Sequence, residues 1–138
     1  MFGIARDGID PRAFLASFGA AGGGVVTFFG AVRDRADDGR IVTGLTYEAY
    51  EPMALAEFQR IAGEATERFG ALRIAIVHRT GDAGPGEVTI AVAAAAAHRD
   101  AAFRACRFAV DEVKRRAPIW KKERYAGGGA EWKANRGG

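Results

Sequence analysis

The sequence predicts an α+β fold in which helices pack against a largely antiparallel sheet. Two stretches, residues 25–32 and 41–50, are rich in β-branched and aromatic residues, which is typical of strands. Two longer stretches, 52–69 and 98–117, carry apolar residues three or four positions apart, which is typical of helices that cover a sheet. Because strand pairs alternate with helices, the predicted order is β-α-β-β-α-β-β-α, followed by a tail over residues 124–138 that can be flexible.

The N-terminal part is predicted to hold a short strand, a short helix and a hairpin. Residues 2–5 suit a strand, and Asp10 followed by Pro11 starts a helix as its N-cap and first helical residue. The strand over residues 25–32 is expected to pair with the strand over residues 41–50, because consecutive strands are usually neighbours. This hairpin is the first strand pair of the predicted sheet.

A second helix and two more strands follow. Pro52 opens the helix, Gly70 suits its C-terminal cap, and residues 72–78 form the next strand. Residues 87–96 fit a strand through their alternating Val and Ile, although their successive alanines also favour a helix. We predict a strand, because the glycine-rich turn before it is a good hairpin connection. The small side chains of the alanines at 93–97 are expected to let another backbone approach closely, and a second copy of the chain is one candidate.

The third predicted helix covers residues 98–117. Its core seam consists of Phe103, Cys106, Val110, Val113 and Ala117. The place of Cys106 in this seam indicates a small core residue rather than a nucleophile. Beyond the helix, Trp120 and Trp132 are predicted to anchor their segments to the body of the protein.

Residues 114–123 concentrate five cations and one anion in ten positions. Pro118 cannot continue a helix, so Lys114 is expected in a last helical turn and Lys121 and Lys122 beyond a sharp bend. Amines brought together from two elements suit an anionic ligand, or an amine whose pKa is lowered for chemistry. A solvated basic helix end is the alternative, because cations are favoured there in any case. The residues expected to anchor the segment after the bend are Ile119 and Trp120.

Three further candidates lie at the ends of predicted strands. His98 and Arg99 stand at a helix start, where unpaired N–H groups favour an anion, although a surface arginine beside a partly buried histidine is an equal alternative. Arg33 follows a strand and precedes a polar loop, which suits a ligand contact. The pair His78 and Arg79 precedes no helix and is predicted to be structural.

Composition and motifs argue against several classes of protein. The formal net charge of +3 provides no long basic face, so nucleic acid is not expected as a partner. The single cysteine cannot form a disulfide within the chain and fits a reducing compartment. No pattern typical of metal, dinucleotide or ATP sites is present, so we expect neither a metal nor a cofactor. Because no apolar run approaches the ~20 residues that span a bilayer and no signal peptide is evident, we expect a cytoplasmic protein without a membrane segment.

Several separate blocks of the sequence resemble the large, catalytic subunit of molybdopterin synthase. The most specific block is PIWKKE at residues 118–123, which follows a helical Lys114. The other blocks stand in the same order and spacing as in that family: FFGAVR at 28–33, LTYEAY with MA at 45–54, HRTG at 78–81, PGE at 85–87 and HRDAAF at 98–103. The resemblance covers residues 22–136, which is nearly the whole chain. We therefore expect one domain of this family over residues 1–138.

This resemblance implies an α/β hammerhead-type fold and a homodimeric core. In the family, a small ubiquitin-like sulfur-carrier subunit binds at each end, giving a heterotetramer, and inserts a C-terminal Gly-Gly tail that carries a thiocarboxylate. The implied activity is that of a sulfurtransferase of molybdenum cofactor biosynthesis. It moves two sulfur atoms, one per carrier, to cyclic pyranopterin monophosphate and forms the dithiolene of molybdopterin.

The resemblance also implies roles for residues at matching positions. Lys114 matches the main catalytic lysine, and Lys121 matches a second functional lysine of the same pocket. His98 and Arg99 match a pair that reaches into the pocket from the partner subunit. The positions that match substrate-binding segments are Ala31, Val32, Arg33, His98, Arg99, Lys114, Lys121, Lys122, Glu123 and Arg136. A lysine flanked by cations has its charged form disfavoured, so Lys114 can act as a general acid or base near neutral pH.

Two other functions stay open at this point. A nucleic-acid-binding module that uses Arg99, Lys114 and Trp120 would bind in a steeply salt-dependent way and need no protein partner. An adaptor would dock a Gly-Gly tail without chemistry. An assay for dithiolene formation from thiocarboxylated carrier and the cyclic pterin separates these functions from sulfur transfer.

Overall fold

The computed structural model describes residues 1–19 and 21–135, which form three helices and two four-stranded sheets. The helices are α1 (Pro11–Phe18), α2 (Glu51–Phe69) and α3 (Arg99–Arg116). The strands are β1 (Phe2–Ala5), β2 (Gly24–Ala31), β3 (Val42–Ala49), β4 (Arg73–Arg79), β5 (Gly81–Ala83), β6 (Val88–Ala96), β7 (Ile119–Tyr125) and β8 (Ala130–Ala134). The α+β class and the largely antiparallel pairing are therefore confirmed. None of the described helices is long and apolar enough to span a membrane.

The first sheet has the strand order β1-β4-β6-β2, and only its β1–β4 pair is parallel. Strand β6 pairs with β4 as the predicted hairpin, which confirms the strand assignment of the alanine run. Successive alanines of β6 face opposite sides of the sheet. Ala93 and Ala95 pack with Phe14 and Phe18 of α1, whereas Ala94 belongs to the larger core that includes α2 and α3.

The alanine run of β6 is covered within a single chain. Residues 93–96 have 0% of their surface exposed, because the helices of the same chain fill both faces of the strand. The close backbone approach is made by the segment before β2, where a Cβ added at Gly22 or Gly23 would collide with the carbonyl oxygens of Ala96 or Ala97. The expectation that a second copy approaches this run is therefore wrong for residues 93–96.

The second sheet has the order β5-β3-β7-β8 and is antiparallel throughout. The predicted hairpin between β2 and β3 is wrong, because the two strands belong to different sheets. The register of β2 shifts between Gly30 and Ala31, where the chain leaves the first sheet. Within the described residues, the connection keeps one isolated bridge, between Arg35 and Ile41. β2 pairs along its whole length with the buried strand β6, and this pairing overrides the preference for a sequence neighbour.

Three strands of the second sheet, β5, β7 and β8, are absent from the predicted order. In β7 the residues that face inward include Lys121 and Glu123, because this part of the sheet faces a polar cavity rather than an apolar core. Charged inward positions hide the alternation by which strands are recognised. The residues expected to form a flexible tail are, as far as position 135, the end of β7, a glycine turn and β8.

The predictions at helix ends are confirmed. The Asp10 carboxylate accepts a hydrogen bond from the backbone N–H of Arg12 at 2.9 Å, as an N-cap does. α2 begins at Glu51, one residue before Pro52, and ends at Phe69, and its cap Gly70 is in the left-handed conformation. Local signals therefore locate the helices to within about one residue.

Burial confirms some of the predicted core and contradicts the rest. Cys106 is buried as predicted, and Ile119 is buried after the bend. Phe103, which the pattern predicts in the same seam as Cys106, is 62% exposed, so that part of the predicted seam is wrong. The expectation that Trp120 and Trp132 anchor their segments to the body of the protein is also wrong, since they are 46% and 51% exposed. Both tryptophans lie on the outward face of the second sheet, opposite the inward-facing residues of β7.

Candidate active site

A cavity of ≈ 690 Å³ is lined by residues of β2, β3, β6, β7 and α3 and by the loop after β2. Cations outnumber carboxylates in its wall. The cations are Arg33, Arg35, Lys114, Arg115 and Lys121, and the carboxylates are Asp111 and Glu123. A concave surface with this excess of positive charge attracts anionic ligands.

The bend between α3 and β7 brings two lysines to this cavity. α3 ends at Arg116, and Pro118 follows, whose ring and missing N–H prevent another helical turn. Backbone hydrogen bonds hold the bend: the N–H of Tyr50 donates to the carbonyl of Pro118 at 3.1 Å, and the N–H of Asn135 donates to that of Ile119 at 3.2 Å. The predicted corner is confirmed, and it is held by the ends of β3 and β8.

Lys114 lies in the last turn of α3 and is half-buried in the cavity wall. Burial lowers the pKa of Lys114, and the positive charge of Lys121 lowers it further. Both effects disfavour the charged amine, because an ammonium loses hydration on burial and is repelled by a like charge. An amine of this kind can exchange protons closer to neutral pH than a solvated lysine.

Lys121 reaches the cavity from β7, with 14% of its side chain exposed. Burial lowers the pKa of Lys121, the carboxylate of Glu123 raises it in part, and the charge of Arg33 lowers it. The net direction is downward. The two ammonium groups therefore come from differently directed elements and influence each other across one cavity, as the bend in the sequence predicts.

Glu123 is the buried carboxylate of the site, with 4% of the residue exposed. Its Oε2 accepts hydrogen bonds from the hydroxyl of Tyr125 at 2.8 Å and from the ammonium of Lys133 at 3.2 Å. Burial alone would raise the pKa of Glu123. The hydrogen bonds from Tyr125 and Lys133 and the charges of Lys133 and Lys121 outweigh burial, so that its pKa is lowered. Glu123 is therefore ionised and anchors β8 to β7.

The segment 31–33 contributes only part of its residues to the cavity. Ala31 and Arg33 line it, whereas the side chain of Val32 is buried outside it. Arg33 forms an exposed ion pair with Asp37, with 2.8 Å between Nη1 and Oδ1. The hydrogen bond and the charge of Asp37 raise the pKa of Arg33. An incoming anion can therefore replace an exposed carboxylate as the partner of this guanidinium.

Lys122 is not brought into the cavity with its neighbour. Successive side chains of a strand point to opposite faces, and Lys122 lies on the outer face with its ammonium 5.7 Å from the ring centroid of Trp132. The resemblance implied a functional role for Lys121 and a substrate-binding role for Lys122 as well. The register of β7 on β3 selects Lys121.

His98 and Arg99 lie at the opposite end of α3 from Lys114 and are exposed. Arg99 and Lys114 are separated along the helix by about 22 Å at 1.5 Å per residue. His98 and Arg99 therefore do not line the cavity of their own chain, which Lys114 does line. Arg136, the remaining candidate, lies outside the described residues.

Several polar residues of the site were not singled out from the sequence. Tyr47 and Thr89 line the cavity, and Tyr125 and Lys133 bind Glu123. The alternation of β3 puts Tyr47 on the same face as Leu45, so its orientation could have been found from the pattern. No comparable signal exists for Lys133, whose strand lies beyond a run of three glycines.

The arrangement suits the binding of anions and proton transfer by an amine. The cavity offers lysines of lowered pKa next to permanently charged guanidinium groups. Within residues 1–19 and 21–135, no three His, Cys, Asp or Glu side chains come together in a group that could hold a metal ion.

Comparison with known proteins gives consistent matches. Residues 4–116 match the family described as MoaE protein. A molybdopterin synthase catalytic subunit from Pyrococcus abyssi is 50% identical over 101 residues, which cover 73% of this chain and 68% of that protein. These matches confirm the resemblance found in the sequence blocks.

Solved structures agree with the sequence comparison. The crystal structure of molybdopterin synthase from Staphylococcus aureus matches with a TM-score of 0.86 and 32% identity, covering 94% of both chains. A protein–protein complex of subunits 1 and 2 of the molybdopterin-converting factor from Helicobacter pylori matches with a TM-score of 0.71 over 88% of this chain and 83% of that one; at 24% identity it shows the fold alone. The chain belongs to the MoaE family, that of the molybdopterin synthase catalytic subunits.

Proposed function

We propose that this chain transfers sulfur from the C-terminal thiocarboxylate of a small ubiquitin-like carrier subunit to cyclic pyranopterin monophosphate, forming the dithiolene of molybdopterin. One observation carries the proposal: Lys114 and Lys121 converge from two elements on one cavity, and the pKa of each is lowered. Membership of the MoaE family supports an enzyme of molybdenum cofactor biosynthesis.

The charges of the cavity match the charges of the proposed reactants. The substrate carries a phosphate, and each thiocarboxylate is an anion. Arg33, Lys114 and Lys121 surround the cavity with positive charge, which offsets the repulsion between two anions that must meet. Holding both reactants in one site turns an encounter in solution into a reaction between neighbours.

In the proposed reaction the sulfur of the thiocarboxylate forms a bond to a substrate carbon, and the bond from that carbon to an oxygen substituent breaks. Water then cleaves the acyl–sulfur bond, so the carrier leaves as a carboxylate and the sulfur stays on the substrate. A second carrier repeats these steps for the second sulfur. Lys114 supplies a proton to the leaving oxygen or accepts one from the attacking water, which its lowered pKa favours.

We further propose a homodimer in which each cavity receives His98 and Arg99 from the other copy. Within one chain these residues are about 22 Å along α3 from Lys114, too far to contact the same ligand. A second copy that presents the start of its α3 to the cavity would add two more donors to the anion site.

A small carrier subunit completes the proposed assembly. The Helicobacter pylori structure contains two different subunits, and we propose a comparable partner for this chain. The apolar part of the cavity wall, which includes Phe28, Val42 and Leu45, suits the uncharged backbone of a narrow Gly-Gly tail. We also propose that residues 1–138 form one domain. We further propose a cytoplasmic location, because a single, buried cysteine fits a reducing compartment.

The test is to mix the purified chain with thiocarboxylated carrier and cyclic pyranopterin monophosphate and to measure dithiolene formation. We expect product, and none when the carrier ends in an ordinary carboxylate. Binding of the carrier without product would indicate an adaptor. Salt-sensitive binding of nucleic acid without product would favour the nucleic-acid module.

A further inference from the structure

Tyr47 lies next to Lys121 in the wall of the cavity. The two residues are partners in the antiparallel ladder of β3 and β7. Side chains at such positions share one face of the sheet, with Cβ atoms about 5 Å apart. Tyr47 is 4% exposed, and both residues line the cavity. A neutral phenol therefore lies beside the ammonium that faces the ligand.

The ring of Tyr47 is held in place by His78. The two rings meet edge to face, with centroids 5.0 Å apart and an interplanar angle of 67°. His78 is fully buried; its Nδ1 lies 2.8 Å from the carbonyl oxygen of Arg79, and its Nε2 lies 2.9 Å from the amide nitrogen of Asn135. Since a carbonyl only accepts, Nδ1 carries the proton and Nε2 accepts from the amide. This fixed imidazole therefore restrains the orientation of the Tyr47 ring.

The hydroxyl of Tyr47 stays protonated, and Thr89 is a neighbouring hydroxyl in the same cavity wall. Burial raises the pKa of Tyr47, a hydrogen bond with Thr89 lowers it in part, and the charge of Glu123 raises it. The Thr89 hydroxyl also reaches the carbonyl of Gly30, at 3.4 Å. When Thr89 donates to the phenolic oxygen instead, the phenol can donate its own proton to a ligand.

We propose that Tyr47 is a ligand-contacting residue whose hydroxyl donates a hydrogen bond to the anionic group held between Lys114 and Lys121. The identity of that anion rests on the proposed function: it is the thiocarboxylate, or the oxyanion that forms when the acyl–sulfur bond is hydrolysed. Stabilisation of such a charge by a positioned neutral donor is strongest in a site with little water.

The test replaces only the hydroxyl, as Tyr47→Phe, which keeps the ring that packs on His78. The matched control is Tyr50→Phe, because Tyr50 is 57% exposed and does not line the cavity. With thiocarboxylated carrier and the cyclic pterin, we expect kcat/KM of Tyr47→Phe to fall about 10-fold to 100-fold, as for a lost hydrogen bond to a charged group. Tyr50→Phe should stay within about twofold of the wild type, and neither variant should change the unfolding midpoint in urea.

A second measurement separates this inference from the proposed reaction. Inorganic phosphate serves as an anion probe, and its affinity is measured by calorimetry for the wild type and both variants. If the wild type makes no dithiolene but Tyr47→Phe binds phosphate at least about threefold more weakly, the donor role stands and the sulfur-transfer function does not. If neither kcat/KM nor phosphate affinity falls in Tyr47→Phe relative to Tyr50→Phe, the donor role is overturned. A loss of stability with unchanged turnover and phosphate affinity overturns it as well, since the hydroxyl would then be purely structural.

Discussion

The ammonium nitrogen of Lys121 lies 3.8 Å from Oε1 of Glu123, two residues further along β7. The other oxygen of the same carboxylate binds Tyr125 and Lys133. One buried carboxylate thus connects a lysine that faces the cavity with a lysine that holds β8. Because the charge of Glu123 raises the pKa of Lys121 against the effect of burial, this contact limits how far that pKa is lowered.

Glu123→Gln should destabilise the protein by about 2 kcal/mol at pH 7, because Tyr125 and Lys133 lose an ionised acceptor. The folded-state pKa of Glu123 is lowered, so its stabilising effect is present above the unfolded value and is lost as the pH falls through the folded value. Urea unfolding at several pH values measures this effect. The difference between wild type and variant should shrink as the pH falls toward 3; a difference that stays constant would contradict the role of the ionised carboxylate.

Lys114→Ala should lower dithiolene formation by about 100-fold or more, because both the charge and the titratable amine are removed. Lys114→Arg keeps the charge but holds its proton at any working pH, so we expect a similar loss. Steady-state assays with saturating carrier measure both. Arg107→Ala, an exposed change on the same helix and outside this cavity, serves as the matched control. Full turnover by Lys114→Arg would show that Lys114 binds charge without transferring protons.

His78 should make folding stability depend on pH in mildly acidic solution. Burial lowers the pKa of His78 to about 4; the hydrogen bond to the carbonyl of Arg79 opposes this, and the charge of Lys114 adds to it. Because the unfolded chain binds the proton first as the pH falls below about 6.5, stability decreases from there toward pH 4, by about 3 kcal/mol in total.

His78→Gln should lack this component of the pH dependence. The measurement is urea unfolding between pH 7 and pH 4, with His98→Gln as the matched control at the exposed histidine. If the His78→Gln variant loses as much stability on acidification as the wild type does, His78 is not the group responsible.

A mixture of two inactive variants should recover activity if the site is shared between copies. In Lys114→Ala one component of every cavity is lost, and in Arg99→Ala the other is lost. Exchange of subunits gives mixed dimers with one intact cavity each, so we expect about a quarter of wild-type activity after random mixing. The readout is dithiolene formation before and after exchange of the purified variants. If the mixture stays inactive although mixed dimers form, Arg99 does not act at the Lys114 of another copy.

Sequence patterns predicted the helices and the buried strand β6 more accurately than the strands of the second sheet. The caps at Asp10 and Gly70 and the stop at Pro118 are local features, and the structure confirms them. The wrong hairpin between β2 and β3 came from a rule about neighbours in sequence. Instead β2 pairs with β6 and β3 pairs with β7, and each of these partners lies more than 50 residues away along the chain.

The candidate site was likewise only partly predictable. The bend at Pro118 made it possible to expect Lys114 and Lys121 near one point. The resemblance assigned a functional role to Lys121 but also placed Lys122 in a substrate-binding segment. The positions of the two lysines in the chain do not by themselves show which face of β7 is covered. The polar lining supplied by Tyr47 and Thr89 depends on strand pairings that only the fold establishes.

By itself the sequence determined the α+β class, the positions of the helices, the proline corner and the resemblance to the MoaE family. These follow from signals carried by residues close together in the chain. The signals are the spacing of apolar residues, capping residues, the geometry of proline and short sequence blocks that stand in the same order and spacing as in the family. Only the tertiary structure decided that the strands form two sheets, that Lys122 lies outside the cavity that Lys121 lines, and that Glu123 is buried between two lysines. Strand partners and pKa values depend on burial and charge contributed by distant segments, and these exist only once the chain has folded.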